Sequence, residues 1–167
     1  MHAALTAMKP DRSKILALIL DQLRLDLTSL EQAVAIARDT ATHADCLGAS
    51  KYETMGLEAS YLAQGQGVRL LEIERSLEYF KRLTPVEFSS TVALSSLVTL
   101  DDDQGNRQLL WLASEAGGLK VIYDDLTITV ITPRSPLGQR LTGKCVGDEF
   151  EVAIAGSRRS YDVVAIY

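Results

Sequence analysis

Between Leu16 and Phe80 apolar residues return every three or four positions, in two runs that break near Asp45–Ala49. The first run is Leu16, Ile19, Leu23, Leu27, Leu30, Val34, Ala37 and Ala41. The second is Tyr52, Met55, Ala59, Leu62, Gln66, Leu70, Ile73, Leu77 and Phe80, with Gln66 in an otherwise apolar slot. This spacing lines one face of an α-helix; a strand would alternate every second residue. Two such helices with a short connection fold back as an antiparallel hairpin. Facing positions of an antiparallel pair add to a constant. Leu16 with Leu77, Leu23 with Leu70, Leu27 with Gln66, Val34 with Ala59 and Ala41 with Tyr52 all give 93, and Ile19 with Ile73, Leu30 with Leu62 and Ala37 with Met55 give 92. Each run has one double four-residue step, Ile19–Leu23–Leu27 and Leu62–Gln66–Leu70, and the two steps fall opposite one another, where a stutter costs least. The expectation is a two-stranded coiled coil about 45–50 Å long at 1.5 Å per residue. Two helices of a compact bundle are the competing reading.

Local signals fit this pattern. Asp11, after Pro10, is placed to cap the first helix, and Ser50 with Glu53 reads as a capping box for the second. Gly48 breaks the helix between them. Gly56, Gly65 and Gly67 weaken the second helix by up to about 1 kcal/mol each, and either bend it or let another backbone approach.

The 167 residues suit one ordinary domain or two small ones. With 47% hydrophobic and 23% charged residues and no apolar run near the roughly 20 that span a bilayer, the chain reads as a soluble cytoplasmic protein with no membrane partner. Met1–Pro10 lacks the basic start and apolar core of a signal peptide. Cys46 and Cys145 read as free thiols in different elements. A net charge of −5 argues against a dedicated nucleic-acid binder and for a protein partner or a basic channel.

After Thr84-Pro85 the period changes. Phe88–Val92, Leu94–Leu100, Gln108–Ala113, Leu119–Tyr123, Leu126–Thr132, Glu149–Ile154 and Tyr161–Ile166 read as strands, and Asp101–Asn106 as a turn. Ser135 with Pro136 opens a short helix that Gly143 ends. The fold class is therefore α+β: residues 1–84 a coiled-coil hairpin, residues 85–167 a mostly antiparallel sheet domain with one short helix.

The motif Ser135-Pro-Leu-Gly-Gln139, followed by Gly143-Lys-Cys-Val-Gly-Asp-Glu-Phe-Glu-Val152 and Tyr161-Asp-Val-Val, resembles the C-terminal domain of the bacterial GreA/GreB transcript-cleavage factors, and Phe88-Ser-Ser-Thr-Val92 extends the match. The first half is similar to the Gre hairpin in length, position and polarity, and Lys51–Ala63 resembles a Gre-like branch of mainly proteobacterial proteins. The resemblance implies an FKBP-like sheet domain that docks at the rim of the RNA polymerase secondary channel, and a hairpin whose tip reaches the active centre. There an Asp-x-x-Glu pair helps hold the second Mg²⁺ for hydrolysis of backtracked RNA. Such a factor is not itself an enzyme, has no cofactor of its own, meets nucleic acid only through the polymerase, and acts as a monomer. The resemblance also implies that Pro133, Arg134, Ser135, Pro136, Leu137, Gly138, Gln139 and Arg140 bind the partner; Pro136, Leu137 and Arg140 offer apolar and cationic contacts, while Leu137 and Leu141 are also candidates to pack on the sheet.

The tip departs from the family. Anchored on Tyr52, Asp45 takes the place of the family Asp, but Gly48 stands where the family has Glu and Ala49 where it has Asn. Asp45 is thus the one candidate catalytic and metal-assisting carboxylate, and otherwise a turn residue; Glu53 or Glu58 could replace the missing acid only with a different bend. His43, Asp45 and Cys46 match no standard metal spacing, and Cys46 reads as a redox thiol or a small tip residue. The function this supports is a secondary-channel factor that regulates elongation, with little cleavage stimulation. The competing classes are a coiled-coil/FKBP-like interaction module with another partner, or homodimer, and a prolyl isomerase, which a sheet domain with Trp111 as its only tryptophan does not favour.

Overall fold

The computed structural model describes residues 9–47, 50–84 and 89–167, with side chains left out at 44–47 and 50–53. The chain falls into two compact units: Leu20–Lys81, and Met1–Ile19 together with Arg82–Tyr167.

The first unit is the helical hairpin. Helix α1 spans Arg12–Leu47 and α2 spans Ser50–Lys81. At the start of α1 the Asp11 carboxylate accepts hydrogen bonds from the Ser13 and Lys14 amides at 3.0 and 3.2 Å, the expected N-cap. Burial along α1 follows the periodicity through Leu23, Val34 and Ala37. On α2 the interior differs from the expected one near the tip: Gly56 and Ala63 are buried and Ala59 and Ser60 half-buried, whereas Met55 and Leu62 are 49% and 57% exposed. Near the tip the buried positions are Val34 and Ala37 of α1 with Gly56 and Ala63 of α2. Val34 shares its groove with Ala63, one helical turn beyond the expected partner Ala59. The reason is the length of α1, which continues to Leu47 and leaves only positions 48 and 49 between the helices. The centre of the hairpin moves by two residues, and the sum by four. Small residues then take the interior of α2, and its larger side chains turn outward.

The second unit is a six-stranded sheet: β1 Leu97–Asp102, β2 Arg107–Leu112, β3 Lys120–Tyr123, β4 Leu126–Ile131, β5 Glu149–Ile154 and β6 Ser157–Ile166, in spatial order β3-β4-β2-β1-β6-β5. All pairs are antiparallel except β2 with β4, which run parallel because β3 intervenes as an edge strand. The β1–β2 turn is built on Asp102, whose carboxylate accepts from the Gln104 and Asn106 amides at 2.9 and 2.8 Å and from the Asn106 side chain at 3.0 Å. These bonds hold the Asp102 carboxyl below the usual carboxylate range, and the paired hydrogen bonds from Arg107 do the same for Asp101. Phe88–Val92 was expected as a strand. Phe88 lies outside the described residues, and the rest pairs only through a bridge between Thr91 and Cys145. Val92 exchanges single bonds with Gly143 and Lys144, which leaves no partner strand to extend along.

One face of the sheet holds the core, in which Val98, Leu100, Leu110, Leu112, Phe150 and Val163 pack with Leu141 from the short helix α3, Pro136–Leu141. Trp111 belongs to the other face of β2, and the start of α1 covers it: the Arg12 guanidinium lies 5.5 Å from the indole centroid and donates to the Ser95 carbonyl.

Candidate partner-binding site

The motif that begins at Thr132 builds a small, tightly tied platform. Thr132 follows β4, and its carbonyl accepts from the Ser135 amide at 3.0 Å and the Ser135 hydroxyl at 2.7 Å. Ser135 has extended backbone, and its Oγ accepts from the Gly138 amide at 3.1 Å, which makes it the N-cap of α3 with Pro136 in the first turn, as the sequence implies. Position 138 admits only glycine, since an added Cβ would lie 1.9 Å from the Thr132 carbonyl oxygen. Thr142 closes the helix by donating its amide and hydroxyl to the Gly138 carbonyl at 3.0 and 2.7 Å, and Gly143 follows at φ +82.

The platform fixes what faces outward. Leu141 is fully buried and Leu137 packs partly on the core, so these two hold the helix down. Arg134, Pro136, Gln139 and Arg140 are exposed, and Pro133 and Ser135 half-buried. The Gln139 side-chain amide donates to the Arg134 carbonyl at 3.2 Å, stiffening the approach to the helix. Of the eight residues named from the sequence, Arg134, Pro136, Gln139 and Arg140 present cationic, polar and apolar groups outward, while Leu137 packs partly on the core and Gly138 is buried. What the sequence reading missed lies beside them: α3 and β5 border a groove of about 700 Å³ that adds Lys144, Glu149, Glu151 and Arg158 to Gln139 and Arg140. The alternation of Glu149 with Glu151 in one strand, with Arg158 in the next strand 3.9 Å from Glu151, was the available signal.

The tip offers less. The side chains of Asp45 and Cys46, with Tyr52 and Glu53, lie outside the described residues, as do Gly48 and Ala49. His43 and Glu58 are exposed. No group of three potential metal ligands occurs among the described residues. Among those residues, too, no helix is long and apolar enough to cross a membrane. Cys145 is a free, exposed thiol.

Residues 86–167 match the family model described as "Transcription elongation factor, GreA/GreB, C-term". The sheet with its capped helix is therefore a domain of the GreA/GreB class. Similar proteins include the transcription elongation factor GreA of Paracoccus denitrificans, 28% identical over 136 residues covering 81% of this chain and 79% of that protein, and GreA of Ruegeria pomeroyi, 26% identical over 160 residues covering 95% of each. The solved structure of GreA factor homolog 1 (Gfh1) of Thermus thermophilus aligns over 89% of this chain and 94% of that one, at 23% identity and a TM-score of 0.36. Residues 86–167 thus form a GreA/GreB C-terminal domain, and the chain is similar over most of its length to transcription elongation factors named GreA.

Proposed function

We propose that this factor docks on RNA polymerase through the surface from Pro133 to Arg140, that its hairpin enters the secondary channel, and that it tunes elongation while stimulating transcript cleavage weakly. The observation that supports docking is the α3 platform: Leu137 and Leu141 secure it from beneath, the Ser135 cap and Gly138 fix its backbone, and Arg134, Pro136 and Arg140 are left outward. Such a pre-organised patch loses little entropy on binding. The support for weak cleavage is chemical. Two carboxylates neutralise a divalent cation, and this chain carries Asp45 with Gly48 where the family has a second acid. Loss of one positioned electrostatic group costs about 10²–10³ in rate. Mg²⁺ would be held by the polymerase, with Asp45 assisting.

Reversing both charges, Arg134→Glu with Arg140→Glu, should weaken binding to core polymerase at least about tenfold in a competition assay, at unchanged circular dichroism. Unchanged affinity would remove the platform from the interface. In backtracked complexes with Mg²⁺, Gly48→Glu with Ala49→Asn should raise transcript shortening above wild type. Strong wild-type cleavage that survives Asp45→Ala would show that the tip works through other groups.

A further inference from the structure

On the hairpin unit the apolar surface is organised rather than scattered. Leu57, Tyr61, Val68 and Leu71 are each more than half exposed. With Gln64 between them they follow steps of four, three, four and three, a heptad seam turned to solvent. The seam borders a groove of about 740 Å³ in which Glu31, Ala35 and Arg38 of α1 meet Ser60, Gln64 and Gly67 of α2. Single exposed apolar residues are ordinary; a continuous stripe beside a groove marks a surface that is covered.

The neighbouring charges identify the cover. Along α1 the exposed residues Arg24, Glu31 and Arg38 recur every seven positions and alternate in sign. Along α2 the exposed residues Glu72, Arg69 and Glu58 carry the opposite signs. With facing positions adding to about 97, Arg24 is level with Glu72, Arg38 with Glu58, and Glu31 lies within one turn of Arg69. These pairs are not made inside the chain: Arg24 bonds Asp21 at 2.8 Å, and the other five have no ion pair among the described residues.

A two-fold axis parallel to the helices lays α1 of one copy antiparallel along α2 of another and keeps every level. The aliphatic stems of Arg24 and Arg38 then cover the Leu57–Leu71 stripe, and their heads reach the flanking carboxylates. The stripe is buried twice, once in each copy. The hairpin from Leu20 to Leu47 is about 42 Å long and two helices are about 20 Å wide, giving a face of about 800 Å², the size of one side of a standard interface. We infer that the free protein pairs with a second copy of itself through this face, as a four-helix dimer.

Sedimentation equilibrium of the full chain from about 1 to about 100 μM tests this. The wild type should move towards twice the monomer mass. Val68→Glu should remain monomeric with unchanged helicity. Arg38→Glu should weaken the dimer at least about tenfold, and adding Glu58→Arg should restore it. The charge pair keeps the test decisive even where Val68→Glu disturbs the helix. A wild type that stays monomeric throughout overturns the inference, and if Val68→Glu then lowers polymerase affinity, the stripe belongs to that partner. A dimer that ignores both Val68→Glu and the charge reversal overturns it as well, by placing the contact elsewhere.

Discussion

The two units use apolar side chains in opposite ways. In the sheet unit the large residues are inside: Leu97, Leu100, Leu112, Ile128 and Leu141 are fully buried, and glycines sit at turns with positive φ, as Gly105, Gly143 and Gly156 do. In the hairpin unit, over the half of α2 nearer the tip, the interior is Gly56, Ser60 and Ala63, while Leu57, Tyr61 and Leu62 face out. A sheet face is wide enough to enclose its own core, whereas two helices expose most of their circumference and gain little from large residues that a third element does not cover. One unit is thus complete in itself, and the other keeps much of its apolar surface for something else.

The sharpest way to break this contrast is truncation. Leu141→Ala removes a fully buried side chain from the closed core and should destabilise the sheet unit by about 3–4 kcal/mol. Val34→Ala borders an open groove and should cost about 1 kcal/mol. Denaturant titrations separate the two, because the single tryptophan reports the sheet unit and far-ultraviolet circulardichroism is dominated by the long helices. Equal losses would mean that the hairpin is packed as tightly as the sheet.

Glycine gives the next contrast, with opposite signs. Gly138→Ala forces a methyl onto the Thr132 carbonyl and should cost about 3 kcal/mol. Gly65→Ala meets nothing within 4 Å and should stabilise α2 by about 1 kcal/mol. A smaller effect is expected at the start of α1. Arg12→Met keeps the stem but loses the bond to the Ser95 carbonyl and the charge over Trp111, for about 1–2 kcal/mol and a red-shifted emission. An unshifted spectrum would show that the indole does not depend on this cover.

The smallest effect is one of pH. Asp102 has its folded carboxyl below the unfolded value of about 3.9, so its contribution is complete above that pH and fades as pH falls through the folded value. Asp102→Asn should flatten the acid side of the stability profile of the sheet unit and leave the neutral side flat. A wild-type acid slope that survives the substitution would assign it to other carboxylates.

How much of this was written in the residues differs between the units as well. The three-and-four spacing is visible because it repeats, and it predicted two helices and most of the α1 interior. It could not set the register, because moving a helix by a full turn leaves nearly the same face inside; only the length of the connection decides that, and the helical continuation to Leu47 does not show in periodicity. The α3 platform was legible from a few residues, since an N-cap Ser followed by Pro has a narrow structural meaning. Phe88–Val92 misled because β-branched composition says nothing about whether a partner strand exists. The Arg12–Trp111 contact joins residues a hundred positions apart, and no local pattern announces it.

The order of strands also sets a timetable. In β3-β4-β2-β1-β6-β5, the strand that lies against β1 is β6, and Asp102 and Ser157 are separated by most of the sheet unit. At about 5–20 residues per second, a ribosome that has finished β1 needs roughly 3–10 s more to reach β6. Through that interval Leu97 to Asp102 has only β2 beside it, and one edge of the central strand stays open. The nascent sheet is most vulnerable to mispairing then, and a chaperone that shields extended segments would be needed before the last strand arrives rather than after.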